Sequence, residues 1–320
     1  MHDKRKTTMD AKDIQSIIDI ISLNDLKTSK EYFKIFLDWY FKVIFKHHHD
    51  PISSQLEADS RILFQMFFTK GLTIFKILDG VSYEFYNEKL SPIIDPTMLY
   101  TMVRNMYETL CTFELLNFVP DTPDKKTITY QLFIISGLKN RQKFYDPHIS
   151  GEFLKKYNEE KKHIIQAIDI IKKTELYKSL NKEEQNKLNK AIDDKKYQLI
   201  IENDKVIFLG WKSIASKFGL SGQLIGDIYT YFCLNAHPSY ISLMQYRDAF
   251  SIKKPEFVHL ALMAVRYALF FMSIFLVDYI KLFPQIKDTF KSLPEKQQAL
   301  LEFFHILIRG KKNSILEFEW

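Results

Sequence analysis

The sequence predicts an all-α protein, and three observations carry that expectation. Its 320 residues hold only 9 Gly and 10 Pro, too few breakers for a turn-rich β architecture. Nearly every long stretch spaces its apolar residues at i, i+3, i+4 and i+7 rather than in alternation. Hydrophobic residues make up 46% and charged residues 26%, the balance of a chain that buries a sizeable core rather than a disordered one. There is no internal repeat, so the expected architecture is a helical bundle.

Taken in order, a helical region runs from about Ala11 to Lys46 and stops at "HHHDP", where Pro51 forbids continuation and biases Asp50 away from the helical region. His47, His48 and His49 make a poor metal-ligand set, because consecutive residues point in different directions, and imidazoles suit a helix C-terminus. The pattern "LFQMFFTKGLTIFKIL" gives a second helix, from Gln55 to Leu78, ended near Gly80. Pro96, behind Asp95, opens the strongest helix of the first half. Its stripe is Leu99, Met102, Val103, Met106, Leu110 and Phe113, and its opposite face carries Arg104, Glu108, Cys111 and Leu115. Such a helix is expected to be buried on two sides, which makes Arg104 and Glu108, one turn apart, a partly buried charge pair.

"VPDTPDKKT", Val119 to Thr127, reads as a loop. From Glu152 to Asp194 the charge alternates with spaced Leu, Ile and Tyr, and Asn181 with Glu184 spells a capping-box-like start. The expectation is an exposed, charged helical hairpin inserted over residues 150–206, either a solvated insertion or an arm for a protein partner. "YQLIIENDKVIFLGW" places short β-branched runs around a turn, the one β-hairpin expected in the chain. The domain layout expected is an N-terminal helical extension over 1–50 and a bundle over 51–320.

The nearest approach to a membrane span is Phe257 to Phe283, interrupted by His259, Arg266 and Asp278. Between Arg266 and Asp278 the uncharged run falls short of the roughly 18 to 20 residues a spanning helix needs, so a core helix is expected and no span. Met1 to Asp13 is charged and no apolar core follows, which is not the pattern of a signal peptide. Cys111 and Cys233 both lie inside apolar helical patterns, as reduced thiols do. A cytoplasmic location is the expectation. The net charge of +6 comes from 45 basic against 39 acidic residues, which permits an anionic partner without requiring one.

Two stretches bear on function. "WKSIASKFGLSGQLIGDIYTYF" has helix-turn-helix spacing, with Ala215, Gly219 and Ile225 at the packing positions. Its groove-facing residues would be Ser221, Gly222, Gln223, Gly226 and Asp227, and no Lys or Arg lies between Leu220 and Tyr246. A DNA reader needs donors to phosphates and bases there, so this stretch reads first as a plain helical corner. "IYTYFCLNAHPSY" places Tyr229, Cys233 and His237 one turn apart, and Pro238 ends the helix. His237 and Asn235 thus sit at a helix C-terminal edge.

Packing of that helix against the helix of Arg104 would form a polar constellation. Arg104 would hold a phosphate, His237 would act as acid or base, and Glu108, Tyr229 and Asn235 would orient them. The alternative is a structural network in which Arg104 pairs with Glu108 and His237 bonds a backbone carbonyl. A metal set of Glu108 and His237 with His259 or Asp278 has no HExxH or CxxC spacing behind it. Neither a glycine-rich phosphate loop nor a nucleophile elbow occurs, so no metal and no cofactor is expected.

The order Arg-x-x-x-Glu in "VRNMYETL", then "WKSIASKFG", then Tyr and His-Pro-Ser in "YTYFCLNAHPS" resembles a family of all-helical bacterial proteins known as a domain of unknown function. The resemblance covers about Gln55 to Phe118 and Ile207 to Phe275 and brings no activity with it. More distantly the chain resembles the HEPN superfamily of small helical bundles, many of them ribonucleases of toxin and antiviral systems. HEPN nucleases carry Arg, a polar residue and then His four to six residues on. Arg104-Asn105 begins that motif without the His, and "RQKFYDPH", Arg141 to His148, fits by count but is broken at Asp146-Pro147. The HEPN resemblance implies a bacterial defence or stress effector, a metal-independent endoribonuclease acting on RNA, with Arg104 and His237 meeting from separate helices. A non-catalytic interaction or ligand-binding module is the alternative, DNA binding through the helical corner a third reading, and a homo-oligomer is compatible with each.

Overall fold

The computed structural model describes residues 25–146, 150–220, 227–251 and 256–309. Among these, thirteen helices and two β-hairpins follow one another, so the all-α expectation holds. They fall into two compact units, Met1–Leu110 with Gly219–Trp320, and Cys111–Phe218.

The first unit begins with α1 (Leu26–His47), capped by Asp25, whose side chain accepts from the Thr28 amide. Of the helical region expected from Ala11, residues before 25 lie outside the described ones. Next comes α2 (Gln55–Ile77), capped by Ser54. Gly80 then turns the chain at φ +77°, a value that favours glycine. A hairpin follows, β1 (Val81–Phe85) and β2 (Glu88–Ile93). This corrects the expectation of a single hairpin. Its strands have an apolar face, but that face is exposed, so the period-2 signal has no core to explain it. After it, α3 (Pro96–Asn117) starts where Asp95 Oδ1 accepts from the Thr97 amide at 2.8 Å.

The core of this unit is aromatic. Tyr40 of α1 stacks on Phe64 of α2 with ring centroids 4.4 Å apart, and its hydroxyl donates to the Met272 carbonyl at 2.6 Å. Met272 belongs to α11 (Glu256–Leu282), a helix long and apolar enough to cross a membrane by length and composition, most of which is buried in the fold. Asp278 on it is 3% exposed and pairs with Lys281 at 2.9 Å and with Arg309. Those partners let a carboxylate sit inside an apolar helix. Before α11 lie α9 (Ile228–Ala236) and α10 (Tyr240–Ser251); after it come α12 (Ile286–Lys291) and α13 (Glu295–Arg309).

The second unit contains α4 (Pro123–Gln142), α5 (Gly151–Lys173), α6 (Glu175–Ser179), α7 (Lys182–Asp193), the hairpin β3 (Leu199–Glu202) and β4 (Lys205–Phe208), and α8 (Trp211–Lys217). The loop expected from Val119 to Thr127 is shorter, because Thr122 caps a helix that Pro123 opens at a position where its missing N–H costs nothing. The charged hairpin is more than a solvated insertion. Ile164, Ala167 and Ile171 of α5 and Leu188, Ala191 and Ile192 of α7 share one core with Ile128, Leu132 and Ile135 of α4. Asn181 caps α7 by accepting from the Glu184 amide at 3.0 Å. Glu184 does not return the bond as a capping box would; its carboxylate accepts from the Val206 amide at 2.6 Å and so ties α7 to β4. The expected turn between β3 and β4 is formed by Asn203 and Asp204, both at positive φ.

Within the expected helical corner, α8 buries Ala215 and Gly219 turns at φ +86°. Ser221, Gly222, Gln223 and Gly226, the residues that would face a groove, lie outside the described residues, as does Ile225.

Candidate active site

Aromatic packing brings α3, α9 and α11 together in the first unit. Tyr100 of α3 stacks on Phe232 of α9 with centroids 5.6 Å apart, and Phe232 meets Tyr267 of α11 edge-on at 5.5 Å. Two turns further along α3 and one turn back along α9, Tyr107 stacks on Tyr229 at 5.0 Å and contacts Phe271 of α11. These contacts fix the register of α9 against α3 and decide which polar residues meet.

The residues that meet are Arg104, Glu108, Tyr229 and His237. Arg104 Nε donates to Glu108 Oε1 at 2.9 Å, and Tyr229 Oη donates to the same oxygen at 2.9 Å. The guanidinium carbon lies 5.6 Å from the centre of the Tyr229 ring. Arg104 Nη1 lies 3.0 Å from His237 Nε2. A guanidinium has no lone pair to offer, so it must donate here and His237 Nε2 must accept. The contact is a hydrogen bond when the ring carries its proton on Nδ1. Among the described residues, Arg104 Nη2 has no protein partner.

Local sequence explains the placement of the imidazole. Pro238 cannot continue α9, so the backbone of His237 leaves the helix at φ −117° and ψ 142°. Ser239 then caps α10: its hydroxyl accepts from the Ser242 amide at 3.1 Å, and the Ser239 amide donates back to Ser242 Oγ at 2.9 Å. A helix end and a helix start separated by only three residues leave His237 on the surface. The Arg104 and Glu108 side chains below it are 24% and 22% exposed, so the pair is reachable by water without being loosely solvated.

Electrostatics follow the geometry. Burial pushes the Tyr229 hydroxyl up, and its bond to the Glu108 carboxylate raises it further, so it stays a donor. For Arg104 burial opposes the charge, but the bond and charge of Glu108 outweigh it and the guanidinium is held more firmly protonated.

Asn235, the fifth residue expected here, is 3% exposed and turns away: its Nδ2 donates to the Tyr231 carbonyl one turn back at 3.1 Å. Two residues not named as site members join the neighbourhood. Cys233 of α9, half-buried, sits one turn from Tyr229 and one turn from His237; its i+4 spacing was legible in the sequence. Lys70 of α2 donates to Thr109 Oγ1, and burial lowers its pKa while the Glu108 charge pulls it back up. No local pattern in "FTKGL" announces that contact, which joins positions 39 residues apart. Of the residues weighed for a metal set, His259 is exposed and Asp278 is held in its own ion pairs. Among the described residues no three His, Cys, Asp or Glu side chains cluster as a metal set would.

No protein-family model matches the chain, and no curated protein or solved structure is significantly similar to it.

Proposed function

We propose that the Arg104–His237 pair is the centre of a metal-independent phosphodiester-cleaving site, and that the chain is a HEPN-like bacterial defence or stress effector that cuts RNA in the cytoplasm. The observation that carries this reading is an imidazole nitrogen held 3.0 Å from a guanidinium nitrogen at the surface end of a helix. A base whose lone pair can be released and a fixed cation beside it are the two groups that cleavage through the ribose 2′-hydroxyl requires.

In this scheme the scissile phosphate takes over the Nη hydrogens of Arg104, which releases His237 Nε2. The imidazole accepts the 2′-hydroxyl proton as that oxygen attacks phosphorus, and Arg104 offsets the charge that builds on the phosphoryl oxygens. The P–O5′ bond breaks, the departing oxygen takes a proton from water, the imidazolium returns its proton to the hydroxide so formed, and a 2′,3′-cyclic phosphate and a 5′-hydroxyl remain. Glu108 and Tyr229 keep the guanidinium aimed, so its orientation is set before substrate arrives. The exposed ring of Tyr240, three residues beyond His237 and 76% exposed, offers a stacking surface for an unpaired base. The test is product chemistry: labelled single-stranded RNA incubated with the protein and a chelator should yield 2′,3′-cyclic phosphate ends. Products with 5′-phosphate ends, or none, count against the scheme.

A second reading has its own support. Glu108 Oε1 accepts from both Arg104 and Tyr229, which is how a polar lock between α3 and α9 would be built in a non-catalytic interaction or ligand-binding module. That reading requires Arg104→Ala to cost stability and no turnover to be found on any RNA.

A further inference from the structure

The hairpin of β1 and β2 forms a two-stranded sheet that pairs with no other strand among the described residues. All five residues of β1 are exposed. Alternation puts Val81, Tyr83 and Phe85 on one face, at 62%, 64% and 59% exposure, and Leu90 lies opposite Tyr83 on that same face. The other face carries Ser82 and Glu84, with Glu84 paired to Lys89 at 3.3 Å. A lone two-stranded hairpin is marginal in water, and an apolar face this broad is uncommon on a monomer.

The two edges of the sheet differ. Between Val81↔Ile93 and Tyr83↔Leu90 the register shifts, so β2 carries an extra residue around Ser91 and Pro92. A bulge bends that edge away and Pro92 has no N–H to offer, which together close β2 to further pairing. Nothing closes β1. Its last pair, Phe85↔Glu88, flanks the two-residue turn, so Phe85 and Tyr83 direct their backbone groups to β2 while Glu84 and Ser82 direct theirs outward.

That open edge is complementary to itself. In an antiparallel pair of β1 strands centred on Tyr83, Ser82 of each copy exchanges backbone bonds with Glu84 of the other. Val81 then faces Phe85, the two Tyr83 rings meet at the two-fold axis, and no like charges oppose each other. A register centred on Glu84 would set two carboxylates face to face, and one centred on Ser82 would leave Phe85 unpaired. We propose that β1 pairs with β1 of a second copy of this chain in antiparallel register centred on Tyr83, making a four-stranded sheet that joins two chains.

Light scattering of the full chain, with disulfide trapping at one position, tests this. The protein should run at twice its 38.0 kDa mass. Tyr83→Cys under mild oxidation should give a covalent dimer, whereas the wild type with Cys111 and Cys233, and a Lys89→Cys control, should not. Tyr83→Lys, at an exposed position that leaves the helical signal unchanged, and Ser82→Pro, which copies the closed β2 edge, should each return a single-chain mass. A wild-type protein of single-chain mass at every concentration overturns the proposal. So does a dimer that survives Tyr83→Lys while Tyr83→Cys fails to cross-link.

Discussion

Arg104 Nη1 and His237 Nε2 stand 3.0 Å apart although 133 residues separate them in the chain. Only one protonation pattern suits that contact, because both groups would be donors if the ring were charged. Long-range nitrogen–proton NMR of the histidine rings should show His237 as the Nδ1-protonated tautomer near neutral pH. Arg104→Ala should release that preference, and an Nε2-protonated His237 in the wild type would contradict the contact.

Arg104→Ala leaves Glu108 and Tyr229 without the cation they surround. Both Arg104 and Glu108 are about three-quarters buried, so the loss falls between a surface pair and a sealed one, about 1–2 kcal/mol. Thermal unfolding should show a drop of a few degrees, smaller for Arg104→Lys. An unchanged melting temperature would remove the support for a stability role.

The costliest single change should be at Asp278, where Asp278→Ala removes a carboxylate, 3% exposed, that pairs with both Arg309 and Lys281. The expected loss in a chemical denaturation curve is on the order of 3–5 kcal/mol. A loss under about 1 kcal/mol would mean the pair is open to water.

Acid stability should depend on His47, which bridges Asp50 Oδ2 at 2.7 Å and Thr289 Oγ1 at 2.9 Å. The His47 hydrogen bond holds the Asp50 carboxyl below the usual carboxylate range, with burial opposing it. A carboxyl whose folded value is depressed contributes stability above its unfolded value, near about pH 4, and loses it as pH falls through the folded one. His47→Ala should therefore flatten the decline of melting temperature below about pH 4; parallel curves for the two proteins would contradict it.

The local rules of helix building made much of this fold legible. Pro96 behind Asp95, the stop at Pro51 and the Asn203-Asp204 turn are decided by neighbours in the chain, and each is where the pattern puts it. The pairing of Arg104 with Glu108 follows from i+4 spacing, and the alignment of Tyr229, Cys233 and His237 from the same rule. Lys70 against Thr109, and Asp278 against Arg309, are set by packing between distant helices and leave no local trace. The β1–β2 hairpin is not legible as a core element because its apolar residues face solvent, and α4 is masked because Pro123 has the look of a breaker although Thr122 caps the helix it opens. Asn235 is near His237 in sequence, but two residues along a helix is more than half a turn, and its side chain bonds the Tyr231 carbonyl of the same helix.

The most direct test of the Arg104–His237 site is single-turnover cleavage of single-stranded RNA by the wild type and by His237→Ala in the presence of a chelator, with both proteins shown to melt alike. Loss of cleavage by at least about a hundredfold in the variant is the predicted result. Equal rates in the two proteins would contradict it.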